Sequence, residues 1–570
     1  MNKALKFLWS LEALAVAVFF LSTWYHCTHN VVVYPENQLV GGLIIAFSLL
    51  LALLILYKSH LPSLLTFKEF FNQNYSWCVF ILIATALLST QLTALPSWLE
   101  ERGWLMLAKN ISLGNIIHPI RAKSDFPSAF QAWPIGAMVW LGVMPLLASR
   151  IMTLALLILY MFYLCKLVQL ITRSDKLSWY VAALAIVSKS YILVGLSGWH
   201  EVTPVFALVT AQWYYLLRIW IKPSPSAKIA LAIFAGFATW TIYTPTLMTF
   251  AVGLILLPYI KQILRPENRR AMIVYLMIVA PIIGQAVFTD GTMFARHYNF
   301  YLHGGDWVKE LVSNVFQRIS LFAFATVRTW YRFMPTGNVR ALREFDCPHI
   351  EISLLLLATG GIAYSIVQWK KFALHLLILP AVLFTIGLLL STPTEYRITC
   401  LLVPTHVFAA LACYAVIEQR KLERRPQLRT LLAVALLTFH YFFAVQLLPG
   451  MMRKFRAICL EASVGASLSD YLSSLPKYPE NIISSHSLIA DFVNGLMRYP
   501  TEVKNFHNDQ SLTVLLNKHV RGVPVMLISE DGKAIPDTTV GILLAKGYRE
   551  IFSQDVESRR QYKVWIYSNS

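Results

Sequence analysis

Thirteen apolar runs, each about as long as a bilayer is thick, leave this chain little choice of architecture. They lie at about 5 to 24, 39 to 57, 78 to 95, 149 to 167, 177 to 196, 202 to 220, 228 to 244, 246 to 263, 271 to 289, 352 to 368, 373 to 391, 399 to 417 and 430 to 449. Inside lipid a segment must satisfy its own backbone hydrogen bonds, so runs of this length read as transmembrane helices. The expected fold is therefore an all-α polytopic membrane protein. With 57% hydrophobic and 14% charged residues, and a mean hydropathy of +0.56, a soluble globular domain is excluded.

The net charge of +19 does not point to nucleic acid, because the cations fall in short loops between spans, where they act as orientation signals. These loops carry Lys58 and Lys68; Lys166, Arg173 and Lys176; Arg218, Lys222 and Lys228; Lys261, Arg265, Arg269 and Arg270; Lys370 and Lys371; and Arg420, Lys421, Arg424, Arg425 and Arg429. All fall on one side if the N-terminus is cytoplasmic. Lys3 and Lys6 precede a first run that ends without a small-residue cleavage site, which predicts an uncleaved first span. For the parity to hold, two further apolar stretches, 132 to 147 with Pro134 and Pro145 and 316 to 334 with three arginines, must stay on the outer side as juxtamembrane or re-entrant segments. A genuine short span at 132 to 147 would invert everything before it.

From about residue 450 the composition becomes that of soluble protein. Strands are expected at 482 to 485, 523 to 528 and 562 to 567, and helices near 487 to 498 and 511 to 519. The expected organisation is an N-terminal hairpin (1–76), a membrane domain (77–450) with outer loops 96–131 and 290–351, and an extracytoplasmic α/β domain (451–570). The seven scattered cysteines form no C-x-x-C pair, so no zinc site or disulfide framework is indicated.

The unusual polar residues collect on the predicted outer face. The segment from Leu99 to Asn110 is a charged island in which Glu100 and Glu101 stand before Trp104, Leu105, Leu107 and Ala108 at helical spacing. It predicts paired acids at the head of a short amphipathic helix, although interfacial acids also occur in plain solvated loops. An enzyme acting on a lipid-phosphate sugar needs a carboxylate for the incoming hydroxyl, cations or a metal for the departing phosphate, and a cavity for the lipid. Glu100, Glu101, Asp125 and Glu201 are the candidate acids; Lys123, Arg328, Arg332 and Arg397 are the candidate phosphate partners. A transporter would place ionisable groups at midplane, and only Glu12 and Lys189 interrupt otherwise clean spans.

On these residues a family resemblance can be stated. EERGWLMLAKNISLGN, followed by His118-Pro119, resembles the first outer loop of the GT-C glycosyltransferase superfamily, which includes the protein O-mannosyltransferases and the lipid A aminoarabinose transferase. There an acidic pair, usually Asp-Glu, precedes Ala-Arg-Asn; here Glu100-Glu101 precedes Ala108-Lys109-Asn110 at the same interval. Ser149-Arg150 resembles the family's Ala-Arg-Leu, and GWHE at 198 to 201 stands where a second acidic motif is usual. TWTIYTP at 239 to 245 resembles its Thr-Lys-Tyr turn, and EYRITCLLVP at 395 to 404 its Arg-Tyr-Leu-Leu-Pro. The resemblance covers residues 78 to 570. It departs at Glu100, one methylene longer than the usual Asp, and at the two spans before residue 77.

The resemblance implies a hexosyl- or pentosyltransferase of the cell envelope, in a bacterial inner membrane. It would pass a sugar from a polyprenyl phosphate to a glycan, lipid or protein acceptor on the extracytoplasmic face by single displacement with inversion. Glu100 would be base or orienting acid, with Glu101 beside it either catalytic or a helix-start acid held by the macrodipole. Lys123, Asp125, Glu201, Tyr243, Arg328, Arg332, Tyr396 and Arg397 would bind substrate. For several of these a structural role is also open: a helix start for Glu201, a turn for Tyr243, an interfacial anchor for Arg397, a surface helix for Arg328 and Arg332. A divalent metal, Mg2+ or Mn2+, is compatible, with Glu100 and Glu201 as its ligands. Two other readings stand beside this one: a non-catalytic binder or carrier of lipid-linked saccharides, and a secondary transporter.

Overall fold

A computed structural model of the chain describes residues 129–186, 203–241, 244–288, 352–389, 401–417, 481–485, 502–506, 508–518, 524–528, 535–556 and 560–567, with Leu105, Ala108, Lys109, Ser112, Ser188 and scattered positions between 425 and 497. The expected spans at 5 to 24, 39 to 57 and 78 to 95 and the stretch 316 to 334 lie outside the described residues. In chain order the helices are α1 (Ala129–Trp140), α2 (Pro145–Thr172), α3 (Asp175–Ile186), α4 (Thr203–Ile221), α5 (Pro225–Thr241), α6 (Thr244–Leu256), α7 (Arg269–Phe288), α8 (Ile352–Val367), α9 (Trp369–Leu389) and α10 (Leu402–Ile417). Strands β1 (Asn481–Ser484) and β2 (Glu502–Asn505), helix α11 (Asp509–Lys518), strand β3 (Val525–Ile528), helix α12 (Asp537–Ala545) and strands β4 (Tyr548–Val556) and β5 (Arg560–Tyr567) complete it. The chain forms two compact units, one of residues 1–91, 115–130 and 153–452, the other of residues 92–114, 131–152 and 453–570.

The helix boundaries follow from local chemistry. Ser174 accepts the amide hydrogen of Leu177 at the start of α3, where Asp175 meets the positive end of the helix dipole. Ser224 accepts that of Ala227 at the start of α5, with Pro225 in the first helical position. Among the described residues α2, 28 residues long, is the one helix both long and apolar enough to cross a membrane by length and composition alone.

The stretch 132 to 147 forms no span. α1 is 12 residues long and so reaches about 18 Å, well short of the hydrocarbon thickness. It ends in a Schellman turn: Gly142 at φ +93 donates to Val139, and Val143 donates to Met138. The break therefore falls at the glycine, while Pro134 sits inside α1 and Pro145 opens α2. The expected run 246 to 263 is likewise divided, with α6 giving way to a 3-10 turn at Leu257–Tyr259 and one helical turn at Ile260–Ile263. Pro258 supplies the reason, since it has no amide hydrogen to continue the ladder.

In the first unit the helices are laid side by side with a defined sense. Three residues join α4 to α5, two join α5 to α6, and Gln368 alone joins α8 to α9, connections short enough to force antiparallel neighbours. The end of α8, the start of α9 and the end of α10 meet: the Tyr364 ring lies 5.8 Å from Phe372 and 6.5 Å from Tyr414. α8 and α10 thus run in the same direction. Tyr160 of α2 touches Phe206 in the first turn of α4 and His406 in the second turn of α10, at ring separations of 5.2 and 6.2 Å. Further along, Trp213 of α4 stacks on His375 at 4.9 Å, and His375 lies 5.0 Å from Phe408 of α10. α4 therefore runs with α10, and α4, α6, α8 and α10 all begin at one end of the bundle.

The opposite end holds Lys222 and Lys228, Lys261, Arg265, Arg269 and Arg270, and Lys370 and Lys371, so the one-sidedness of these basic loops in sequence is one-sidedness in the fold. α10 is buried almost all round, which marks it as the central helix. α8 approaches it so closely that a Cβ at Gly361 would run into the backbone carbonyl of Phe408.

In the second unit the C-terminal sheet has the order β2-β1-β3-β5-β4, with β1 parallel to β2 and β3, and β5 antiparallel to β3 and β4. Ile483, Leu512, Val525, Leu527, Leu543 and Trp565 fill its core. α11 starts in a reciprocal cap in which Asn508 Oδ1 accepts from the Ser511 amide at 2.8 Å and Ser511 Oγ accepts from the Asn508 amide at 3.1 Å. The three expected strands are present. β2 and β4, which sequence reading passed over, are the two edges of the sheet. Edge strands carry charged residues and lack strict alternation, as EVKN and YREIFSQDV do.

Candidate functional site

All ten candidates, Glu100, Glu101, Lys123, Asp125, Glu201, Tyr243, Arg328, Arg332, Tyr396 and Arg397, lie outside the described residues. What is described is the scaffold next to them in the chain. Glu201 stands two positions before Thr203, the first residue of α4; Tyr243 stands immediately before α6; Arg397 stands five positions before α10. The loop with Arg328 and Arg332 leads into α8. These four helices begin at the same end of the first unit. Aligned peptide dipoles give that end a positive partial charge at each helix start, an electrostatic setting that favours anions.

That end is also where buried polar side chains are tied together. His406 Nδ1 lies 2.8 Å from the carbonyl oxygen of Leu402 and 2.9 Å from the Tyr160 hydroxyl. His440 joins two further elements: Ser353 Oγ lies 2.8 Å from its Nδ1, and its Nε2 lies 3.0 Å from the carbonyl oxygen of Leu184. Both histidines are buried. Hydrogen bonds of this kind hold α2, α3, α8 and α10 in register, since each buried polar atom left without its partner costs about 1–3 kcal/mol.

The second unit contains the part of the charged island that is described. Leu105, Ala108, Lys109 and Ser112 are helical, and Leu105 and Ala108 are fully buried, as the spacing predicts. Ser112 Oγ donates to the Lys109 carbonyl at 2.7 Å. Ala108 packs with Ile135 and Ala148, so the segments carrying Lys109 and Arg150 are built around one small apolar core. Lys109 is 4% exposed and Arg150 1% exposed. On sequence alone both are motif positions with no assigned role. The signal available was that Lys109 stands where the GT-C pattern has Arg, four residues after the buried Leu105.

Against known proteins, no family model matches the chain and no curated protein does. Two solved structures of ArnT are similar to it. The crystal structure of ArnT from Cupriavidus metallidurans bound to undecaprenyl phosphate is 12% identical, covering 86% of this chain and 98% of that one, with a TM-score of 0.47. The apo state of the same protein aligns over the same shares at 12% identity with a TM-score of 0.41.

Burial pushes the Lys109 amine down from 10.5 to about 8, because a charged ammonium loses its hydration. A folded-state value below the unfolded one means that between about pH 8 and 10.5 the unfolded chain binds more protons, so stability rises with pH across that window. Lys109→Met is expected to abolish this rise while leaving the rest of the pH profile intact. Thermal unfolding of both proteins at pH 7.5 and pH 9.5 is the check, and an equal rise in the two would refute the burial argument.

His375 presents a different case. It is 2% exposed, sandwiched between Trp213 and Phe408, and among the described residues neither of its ring nitrogens, nor Trp213 Nε1, has a hydrogen-bond partner. Such a group weakens the fold, so His375→Phe is expected to hold or raise the melting temperature, whereas Trp213→Ala, which opens a cavity, should cost about 3–5 kcal/mol. A marked fall in melting temperature for His375→Phe would show that the imidazole has a polar role. Among the described residues no three His, Cys, Asp or Glu side chains converge as metal ligands; Glu100 and Glu201, named as metal donors on sequence, lie outside them.

Proposed function

We propose that the protein is an integral membrane glycosyltransferase that moves a sugar from a polyprenyl-phosphate donor to a hydroxyl-bearing acceptor, with the donor phosphate held at the bundle end where α4, α6, α8 and α10 begin. The observation that supports this reading is that common end: α4, α6, α8 and α10 begin together, where the helix dipoles favour a phosphate. In the chain Glu201, Tyr243 and Arg397 precede three of those starts by no more than five positions. The ordered motifs in the sequence support it independently.

In the proposed step the acceptor oxygen attacks the anomeric carbon as the bond from that carbon to the phosphate oxygen breaks. Glu100 takes the acceptor proton, and polyprenyl phosphate leaves with the bonding pair. Positive charge grows on the sugar ring and negative charge on the phosphate. Cations already in place gain interaction as that negative charge grows, which is what lowers the barrier. Arg397, Arg328 and Arg332 would serve there. Lys109 and Arg150 are buried cations on segments that pack at the Ala108 core, and their burial makes any anion they meet interact strongly.

The test is consumption of donor by purified protein in nanodiscs, with a panel of polyprenyl-phosphate sugars and native membrane extract as the source of acceptor. Transfer with one sugar is the expected result. Saturable binding without consumption, across a panel that includes the native lipid pool, would replace the enzyme with a carrier of lipid-linked saccharides.

A further inference from the structure

At the basic end of the first unit, opposite the common start of α4, α6, α8 and α10, the helices leave an apolar cleft of about 650 Å³ between α4, α5, α6 and α7. Leu231, Val252, Gly253, Leu256 and Met272 line it, and Lys228 stands on its wall. Lys228 also lines a second, smaller recess of about 200 Å³, together with Arg270 and Glu267. One lysine thus lines both the apolar slot and a smaller recess that carries charged side chains. Its position is held: Lys228 Nζ donates to Asn268 Oδ1 at 2.6 Å, and Asn268 Nδ2 donates to the carbonyl oxygen of Gln262 at 2.7 Å.

Two further observations set the level and the charge. Trp220 and Tyr259 meet edge to face at 5.3 Å beside the cleft, and amphipathic rings of this kind mark the membrane–water boundary. The turns at this end carry Lys222, Lys228, Lys261, Arg265, Arg269 and Arg270, and among the described residues of these turns Glu267 is the one acid. An apolar slot at the boundary, sharing Lys228 and Ala271 with a smaller recess that Arg270 also lines, matches in shape and charge a molecule with a hydrocarbon chain and a phosphate head.

We propose that this is a binding site for an anionic phospholipid, with one acyl chain in the cleft and the phosphate between Lys228 and Arg270. It lies at the other end of the bundle from the proposed transfer chemistry and does not depend on that reading.

The experiment uses the full chain purified in detergent, with dioleoyl phosphatidylglycerol and dioleoyl phosphatidylcholine as probes and native mass spectrometry as readout. The wild type is expected to retain phosphatidylglycerol at least about tenfold better than phosphatidylcholine. Gly253→Phe should abolish retention of both, since a Cβ at Gly253 meets no other atom within 4 Å and the ring would grow into the slot. Lys228→Gln combined with Arg270→Gln should lower phosphatidylglycerol to the level of phosphatidylcholine and leave the latter unchanged. Equal retention of the two lipids by the wild type, or an unaltered preference in the double variant, overturns the proposal. If Gly253→Phe does not fold, the double variant decides alone through the ratio of the two lipids. Glycerol 3-phosphate is expected not to compete; displacement of the lipid by this soluble phosphate would show a headgroup site without a chain site and would also overturn it.

Discussion

Glu100→Gln is expected to slow sugar transfer by about 10²–10⁴-fold, the usual contribution of a positioned general base, while the donor still binds with affinity close to that of the wild type. The substitution keeps the shape of the side chain and removes its ability to take a proton. The loss should therefore fall on turnover, with the apparent affinity for the donor little changed. Glu100 stands one methylene beyond the Asp usual at this place in the GT-C pattern, and this gives a second comparison. If Glu100 is the base, Glu100→Asp moves the carboxylate but keeps its chemistry and should retain more activity than Glu100→Gln. Steady-state transfer with a labelled donor, alongside donor binding to the same preparations, separates these outcomes. Full turnover in Glu100→Gln would remove Glu100 from the mechanism, and Glu101 would be the next carboxylate to test.

The largest expected effect on stability lies far from those acids, at the crossing of α8 and α10. A Cβ at Gly361 would meet the main-chain carbonyl of Phe408, and main chain cannot rotate aside as a side chain can. Gly361→Leu must therefore push the two helices apart and undo the packing of Ala358, Phe372, Phe408 and Leu411, at a cost of about 3 kcal/mol or more. The neighbouring glycine is a strict control. A Cβ at Gly360 would sit 3.7 Å from the Ala412 Cβ, an ordinary contact, so Gly360→Ala should fold as the wild type does or slightly better, because alanine favours helix over glycine. Thermal unfolding in one detergent compares the two, and equal melting temperatures would mean that α8 and α10 do not cross at Gly361. Membrane helices rely on small residues for close approach because no hydrophobic effect drives them together within lipid, which gives this position its weight.

Legibility differed between the site and its scaffold. The candidate residues for transfer from a lipid phosphate were named from the chain because each stands out against an apolar background, Glu100 and Glu101 after an apolar run and Arg397 just before one. All of them lie outside the described residues. The roles of Lys109 and Arg150 could not be read from the chain, since a lysine or arginine near a span end ordinarily reaches water, and only packing of Ala108 against Ile135 and Ala148 shows that both are buried. His375 and His406 were equally silent. A histidine within an apolar run is the same letter whether it bridges two helices, as His406 does, or stacks between two rings, as His375 does.

By itself the sequence determined a mostly helical, apolar chain with a C-terminal α/β region, the bounds of α2, α4, α5, α7 and α8 to within about five residues, and the shared side of the basic loops that are described. Those properties are sums over neighbouring residues: the hydropathy of a run, the cap before a helix, the charge of a loop. The tertiary structure decided which helices touch and which ends meet, through Tyr160 between α4 and α10 and Gly361 beneath Phe408. It decided the order β2-β1-β3-β5-β4 and the cleft that opens beside Lys228. These depend on pairs of residues distant in the chain, and an apolar helix presents much the same hydrophobicity to every possible neighbour. Shape and the few polar bonds between helices choose the neighbour, and both exist only once the chain has packed.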